Sequence, residues 1–254
     1  MASGYPETLA SEWIPHLSPW QWALGGLCAY FVGIAKTGVP GLGTLVVPMI
    51  VFTVGDARAS AAWLLPILST ADVFAVVYWR RHAAARKLFA LAPWVLAGMV
   101  AGAAALALSE RVIRTAVAVI ILAMLALYLW RKARKTLDVA PHPALYGVTA
   151  GFATTVANAA GPVMNLYLLS RRLPKEEFIA TGAWFFFLIN LSKAPIYWWH
   201  GLFSRQSLAF DFLMLPAVIL GAVSGRKLVD HIPARVFEAS VTALTALSTL
   251  LLFR

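Results

Sequence analysis

The chain has 254 residues, of which 61% are hydrophobic and only 13% charged, against roughly a quarter charged in an ordinary soluble domain. This composition excludes a soluble enzyme or binding module and leaves an integral membrane protein with almost no soluble part. The net charge of +10 sits in short basic clusters between apolar runs, so it reads as a topology signal in a lipid bilayer and not as a nucleic-acid surface.

Residues 1–19 are polar, hold Glu7 and Glu12 and lack Lys and Arg; without a basic n-region they do not read as a cleavable signal peptide. Trp13, Trp20 and Trp22 follow, in the manner of an interfacial aromatic belt. A first apolar segment, 20–54, is interrupted at Lys36-Thr37-Gly38-Val39-Pro40-Gly41-Leu42-Gly43. Three glycines and a proline in six residues break a helix, and broken backbone at bilayer depth is tolerated only where protein buries it or it lines a cavity. Full spans are predicted at 59–79, 88–108 and 112–130, each near the twenty residues that cross ~30 Å of hydrocarbon. A second apolar segment, 142–170, is interrupted at Ala157-Asn158-Ala159-Ala160-Gly161-Pro162-Val163-Met164-Asn165, and spans at 178–199, 208–227 and 235–253 complete the chain. Cys28 stands alone in an apolar run, so neither a disulfide framework nor a cysteine metal site is available.

The two interruptions are in register. Placing Trp63 on Trp184, an offset of 121 positions, also puts Gly41 on Pro162 and Asp72 on Lys193, and with a small insertion Gly98 and Gly102 fall on Gly221 and Gly225. The expected organisation is an extracytoplasmic segment 1–19, a first transmembrane repeat 20–130, a basic cytoplasmic linker 131–141 and a second repeat 142–254. Basic residues cluster at 80–87, 131–135, 171–175 and 226–235, fourteen in all against five in the alternate positions, so these clusters are expected in the cytoplasm and both termini outside. The second broken segment then enters and leaves on the cytoplasmic side, the first on the outer side. The fold class expected is all-α, a polytopic protein of the cell (inner) membrane with an inverted-topology repeat. Each half is a broken or re-entrant hairpin plus three transmembrane helices.

Gly/Pro-interrupted segments in corresponding positions of two halves point to a transporter's binding site. Lys36 is its sharpest residue, since an ammonium near the bilayer centre costs about 2.5–3.5 kcal/mol on insertion scales. It is a counter-charge for a small anion, or it snorkels or pairs structurally. Thr37, Gly38, Gly41 and Gly43 favour the first reading, because Pro40 suits the start of a new helix and bare backbone donors there attract anions. Asn158, Gly161 and Asn165 form the matching tip. Three roles are open to Asp72: a proton-coupling carboxylate, a partner for Lys36 or Lys193, or an interfacial charge. Lys193 binds substrate or snorkels, and Asn190, three residues earlier on the same face, coordinates substrate or bridges helices. The aromatic runs Trp184–Phe187 and Tyr197–Trp199 read as lipid-facing or belt residues. No spaced His/Cys/carboxylate set lies inside the spans, so no metal or other cofactor is expected, and no Walker, Rossmann or nucleophile-elbow pattern points to an enzyme.

The run Phe31-Val32-Gly33-Ile34-Ala35-Lys36-Thr37-Gly38-Val39-Pro40-Gly41-Leu42-Gly43 with Pro48 resembles the first signature of the sulfite exporter TauE/SafE family. The run Ala157–Asn165, with Leu173-Pro174-Lys175-Glu176-Glu177 and Trp184–Phe187, resembles the second. One departure is visible: asparagines stand where the family's second break is rich in glycine. The resemblance covers nearly the whole chain. It implies membrane transport, typically export, of sulfur-containing anions such as sulfite, sulfonates or sulfoacetate. The expected function is therefore a secondary transporter using alternating access around a midplane site. An anion channel or a non-transporting membrane sensor on the same fold is the alternative.

Overall fold

The structure, a computed structural model, describes residues 13–105, 109–135, 142–157, 159–199, 201–251 and 253. It is all-helical, and no strand occurs among the described residues. In chain order the helices are α1 (Pro19–Thr37), α2 (Gly43–Val54), α3 (Ala57–Trp79), α4 (Ala85–Ala105), α5 (Glu110–Ala133), α6 (Pro143–Ala157), α7 (Ala160–Ser170), α8 (Lys175–Trp199), α9 (Arg205–His231) and α10 (Ala234–Leu251). Six of them, α3, α4, α5, α8, α9 and α10, are long and apolar enough to cross a membrane. Most run a few residues past the apolar stretches, into polar ends that carry their own caps: Asp56 accepts from the Ala59 amide at 2.6 Å, and Ser204 pairs reciprocally with Ser207.

Both broken segments break where expected. At 19 and 12 residues, α1 and α2 span about 28 and 18 Å, and α6 and α7, at 15 and 11 residues, about 22 and 16 Å. None reaches the ~30 Å of a hydrocarbon core. The first pair is closed at its base by Gln21, whose Nε2 donates to the Thr53 carbonyl at 2.9 Å. The second is closed by the Tyr146 and Ser170 hydroxyls, 3.4 Å apart. The first base adjoins the start of α3. The second adjoins the start of α8, which is bound to the loop after α3 by the Thr181 hydroxyl accepting from the Ala84 amide at 3.0 Å. The hairpins therefore open from opposite ends of the bundle.

One detail of the first break differs from expectation. Pro40 does not begin a helix: α2 starts at Gly43. Gly41 has φ +105°, outside the helical region, and a Cβ there would stand 2.7 Å from Leu244 Cβ, so residues 38–42 form a turn that no L side chain fits at Gly41. Pro162, by contrast, lies in the first turn of α7, where a missing N–H breaks no helical bond.

The two most extensive helix contacts are α4 on α6 and α9 on α1. Each is a crossing of backbones over glycine. A Cβ on Gly33 would lie 2.4 Å from the Val218 carbonyl oxygen, one on Gly221 2.1 Å from that of Tyr30, and one on Gly38 2.2 Å from that of Gly225. At the other crossing a Cβ on Gly98 would lie 2.1 Å from the Val148 oxygen and one on Gly151 2.0 Å from that of Val95. Small residues allow this approach, and close packing is what associates helices in lipid, where no hydrophobic force between them remains. The pairs Gly98/Gly102 and Gly221/Gly225 thus serve the same purpose, seating α4 on α6 and α9 on α1.

The four basic clusters gather at one end. Lys87 pairs with Glu177 at 2.8 Å, Lys175 donates to the Val229 and Ile232 carbonyls at 2.9 and 2.7 Å, Lys132 pairs with Glu238 at 2.7 Å, and Arg226 stacks over Trp79.

The crossing argument predicts opposite outcomes for two glycines of α1. Gly33→Ala must push α9 outward and is expected to destabilise by about 1–3 kcal/mol. Gly26→Ala meets nothing within 4 Å and is expected to be neutral or stabilising, as in any helix interior. Thermal unfolding in detergent followed by tryptophan fluorescence reads the difference; equal midpoints for the two variants would contradict the tight crossing.

Candidate functional site

Helix α1 ends on Lys36 and Thr37. A lysine in the last turn suits the negative end of the helix dipole, and the carbonyl of Thr37 accepts a bond from Trp79 Nε1 at 3.1 Å, which satisfies one of the free carbonyls at a helix end. From this end the Lys36 side chain reaches Asp72 on α3, Nζ to Oδ1 2.7 Å. Asp72 is fully buried, and its second oxygen accepts from Asn190 Nδ2 on α8 at 2.7 Å. The Lys36 ammonium also lies over the ring of Phe186, 4.3 Å from its centroid, a contact of cation–π geometry. One turn away on α8, Lys193 Nζ donates to Thr154 Oγ1 on α6 at 3.0 Å. Asn190 and Lys193, three residues apart, share one face of α8, the face that meets Asp72.

Lys36, Asp72, Asn190 and Lys193 thus come together as one polar cluster between α1, α3, α8 and α6, in surroundings that are otherwise apolar. Asp72 pairs with Lys36 and is fully buried. Thr37 and Gly38 lie beside the cluster but face α9: the Thr37 hydroxyl contacts the carbonyls of Ala222 at 2.7 Å and Gly33 at 3.0 Å, and Gly38 abuts Gly225. Gly41 sits in the turn against Leu244, and Gly43 opens α2 with room around its Cα. On the second tip, Gly161 faces open space and Asn165 Nδ2 donates to Thr245 Oγ1 of α10 at 3.3 Å. Asn158 lies outside the described residues.

Three participants escape a reading of the sequence. Phe186 belongs to an aromatic run that reads as lipid-facing, yet Phe185 is 3% exposed and Phe186 underlies Lys36. Trp79 and Thr154 are residue types that occur throughout membrane helices. No group of three His, Cys, Asp or Glu side chains among the described residues could hold a metal ion.

Two basic side chains and one carboxylate give the cluster a formal charge of +1. The model of the sulfite exporter TauE/SafE family matches residues 23–252, nearly the whole chain. The chain belongs to that family. Membership makes it a multi-pass membrane transporter of sulfur anions. Neither a curated protein nor a solved structure matches the chain.

The ion pair carries a stability prediction. Removing one partner of a buried pair leaves an uncompensated charge and costs about 3–5 kcal/mol, while removing both is far milder. Lys36→Ala is expected to lower the unfolding midpoint sharply, and adding Asp72→Asn to restore most of it. A double-mutant cycle on thermal unfolding measures this; additive losses would show that the two side chains do not interact.

Proposed function

We propose that the protein is a secondary transporter, working as an exporter, of small sulfur-containing anions of the sulfite, sulfonate or sulfoacetate type. The observation that carries this reading is the Lys36–Asp72–Asn190 cluster at the break of α1, with Lys193 beside it. The anion is held by the Lys36 and Lys193 ammonium groups and the Asn190 amide. Backbone donors of the two breaks, at Gly43 and at Gly161, complete its shell. A compact oxyanion suits such a set, because each of its oxygens accepts from a different donor and no side chain needs to follow a long substrate. The protein has no catalytic role in this reading.

Access alternates between the two faces by rocking of two inverted repeats, 20–130 and 142–254, joined by the linker 131–141. Hairpins opening from opposite ends and the exchanged glycine crossings support the inverted relation. The basic clusters face the cytoplasm and both termini face outside, since lysine and arginine are retained on the cytoplasmic side of the inner membrane. Export of an anion from a cell with a negative interior is assisted by the membrane potential by about 2.3 kcal/mol per charge per 100 mV.

Counterflow in proteoliposomes tests the transport. Wild-type protein is expected to show saturable uptake of labelled sulfite stimulated by sulfite on the far side. Lys36→Ala/Asp72→Asn, which removes both charges while sparing the fold, is expected to lose at least 90% of it, since each lost charge-assisted bond costs about 1.5–3 kcal/mol. Flux without stimulation would make the protein a channel, and unaltered counterflow in the double variant would displace the site. Orientation is read by labelling single cysteines at Arg81 and Ser109 with an impermeant maleimide: only Ser109→Cys is expected to react from outside.

A further inference from the structure

Resting on the anion-site reading above, the charges of the cluster determine which substrates fit it. Lys36 and Lys193 bring two positive charges and Asp72 one negative. Among the charged residues on helices packed against α3, these two lysines are the ones in the cluster. Helix α2 carries no charged residue. On α9, Arg226, Lys227, Asp230 and His231 belong to the basic end, and Arg205 and Asp211 lie in the first two turns at the opposite end. A bound monoanion brings the site to neutrality. A bound dianion leaves a surplus negative charge at bilayer depth, which is expensive, and the one acidic group able to cancel it is Asp72, whose carboxylate is fully buried between Lys36 and Asn190.

We propose that Asp72 is the residue that sets substrate charge: the site takes monoanions directly and takes dianions only together with one proton, which Asp72 accepts. The geometry allows this without collapse. When an anion takes over the Lys36 ammonium, Asp72 Oδ1 loses its cation and is free to hold the proton, while Oδ2 keeps the Asn190 amide. The proton comes from solution on binding and returns to it on release, so a dianion and a proton move together and a monoanion moves alone. One consequence is that the two substrate classes carry the same net charge of −1 through the membrane and draw equally on the membrane potential.

Sulfate and methanesulfonate separate the classes, being near-equal in size and tetrahedral about sulfur but dianionic and monoanionic at every pH used. Titration calorimetry on purified protein between pH 6 and 8 is expected to show methanesulfonate affinity constant, and sulfate affinity rising about tenfold per pH unit of acidification. Measurements in buffers of different ionisation enthalpy are expected to show one proton taken up with sulfate and none with methanesulfonate. Asp72→Asn, which keeps the bond partner of Asn190, is expected to bind sulfate with no pH dependence and no proton uptake. Equal pH profiles for the two anions, or a sulfate slope that survives Asp72→Asn, would overturn the assignment while leaving the anion site intact. If neither anion binds wild-type protein, the anion site itself falls and the role of Asp72 with it.

Discussion

A lysine and an aspartate, both inside a membrane bundle and 2.7 Å apart, impose more on this fold than any apolar contact does. Neither charge could be placed there alone, because water is absent and the protein must supply every compensating group. Asp72 has one oxygen on Lys36 and the other on Asn190, so α1, α3 and α8 have to meet at a single level. The Lys36 ammonium uses Asp72 and the face of Phe186, so α8 must also present its aromatic run inward. Helix α1 stops one residue after Lys36, at Thr37. Trp79 holds that stopping point by donating to the Thr37 carbonyl. The stack of Arg226 on Trp79 then links the break to the basic end of the bundle.

The glycine crossings make this meeting possible. With side chains at Gly33 and Gly38, α9 would have to stand farther off α1, because the opposing atoms are backbone and cannot yield. The Thr37 hydroxyl can bridge to the Ala222 carbonyl only across such a short gap. Because α9 is seated on α1 and α4 on α6 in the same way, helices distant in sequence are locked together, and the stability of the site is shared among them.

How much of this can be read from residues follows from how rare each signal is. A lysine, three glycines and a proline inside an apolar run are improbable unless the helix breaks, so both interruptions and all six full spans are legible. The glycines are visible in the sequence, though their purpose, backbone contact, needs the partner helix to be seen. The choice among partners for Asp72 is not legible, because it depends on the rotation of three helices about their axes, which hydropathy does not constrain in lipid. Pro40 misleads for a related reason: its φ suits a helix start, but Gly41 next to it takes a positive φ that defers the helix to Gly43. Phe186 and Thr154 are hidden by being ordinary. An aromatic or a hydroxyl residue in a membrane helix signals little until a cation is found beside it.

The two hairpins sit in different solvents, and this limits where the bundle can open. Apart from Gly161, every residue of α7 is buried; the helix is enclosed by α5, α6, α8 and α10. An 11-residue helix that is apolar on all faces is stable only when surrounded in this way. Helix α2 packs mainly on α1 and α3, and it leaves Val47 and Phe52 exposed, the latter by 69%. In a bilayer those outer faces touch lipid. Displacing α2 exchanges lipid for lipid on that side and gives up packing on the other only. Displacing α7 would strip close contacts on every side and separate Asn165 from Thr245, with no water to replace that bond. Dispersion contacts and hydrogen bonds are the forces that hold helices together in a membrane, so the energetic cost of movement is lower at the tip that carries Lys36. The charged centre therefore lies against the less enclosed of the two hairpins.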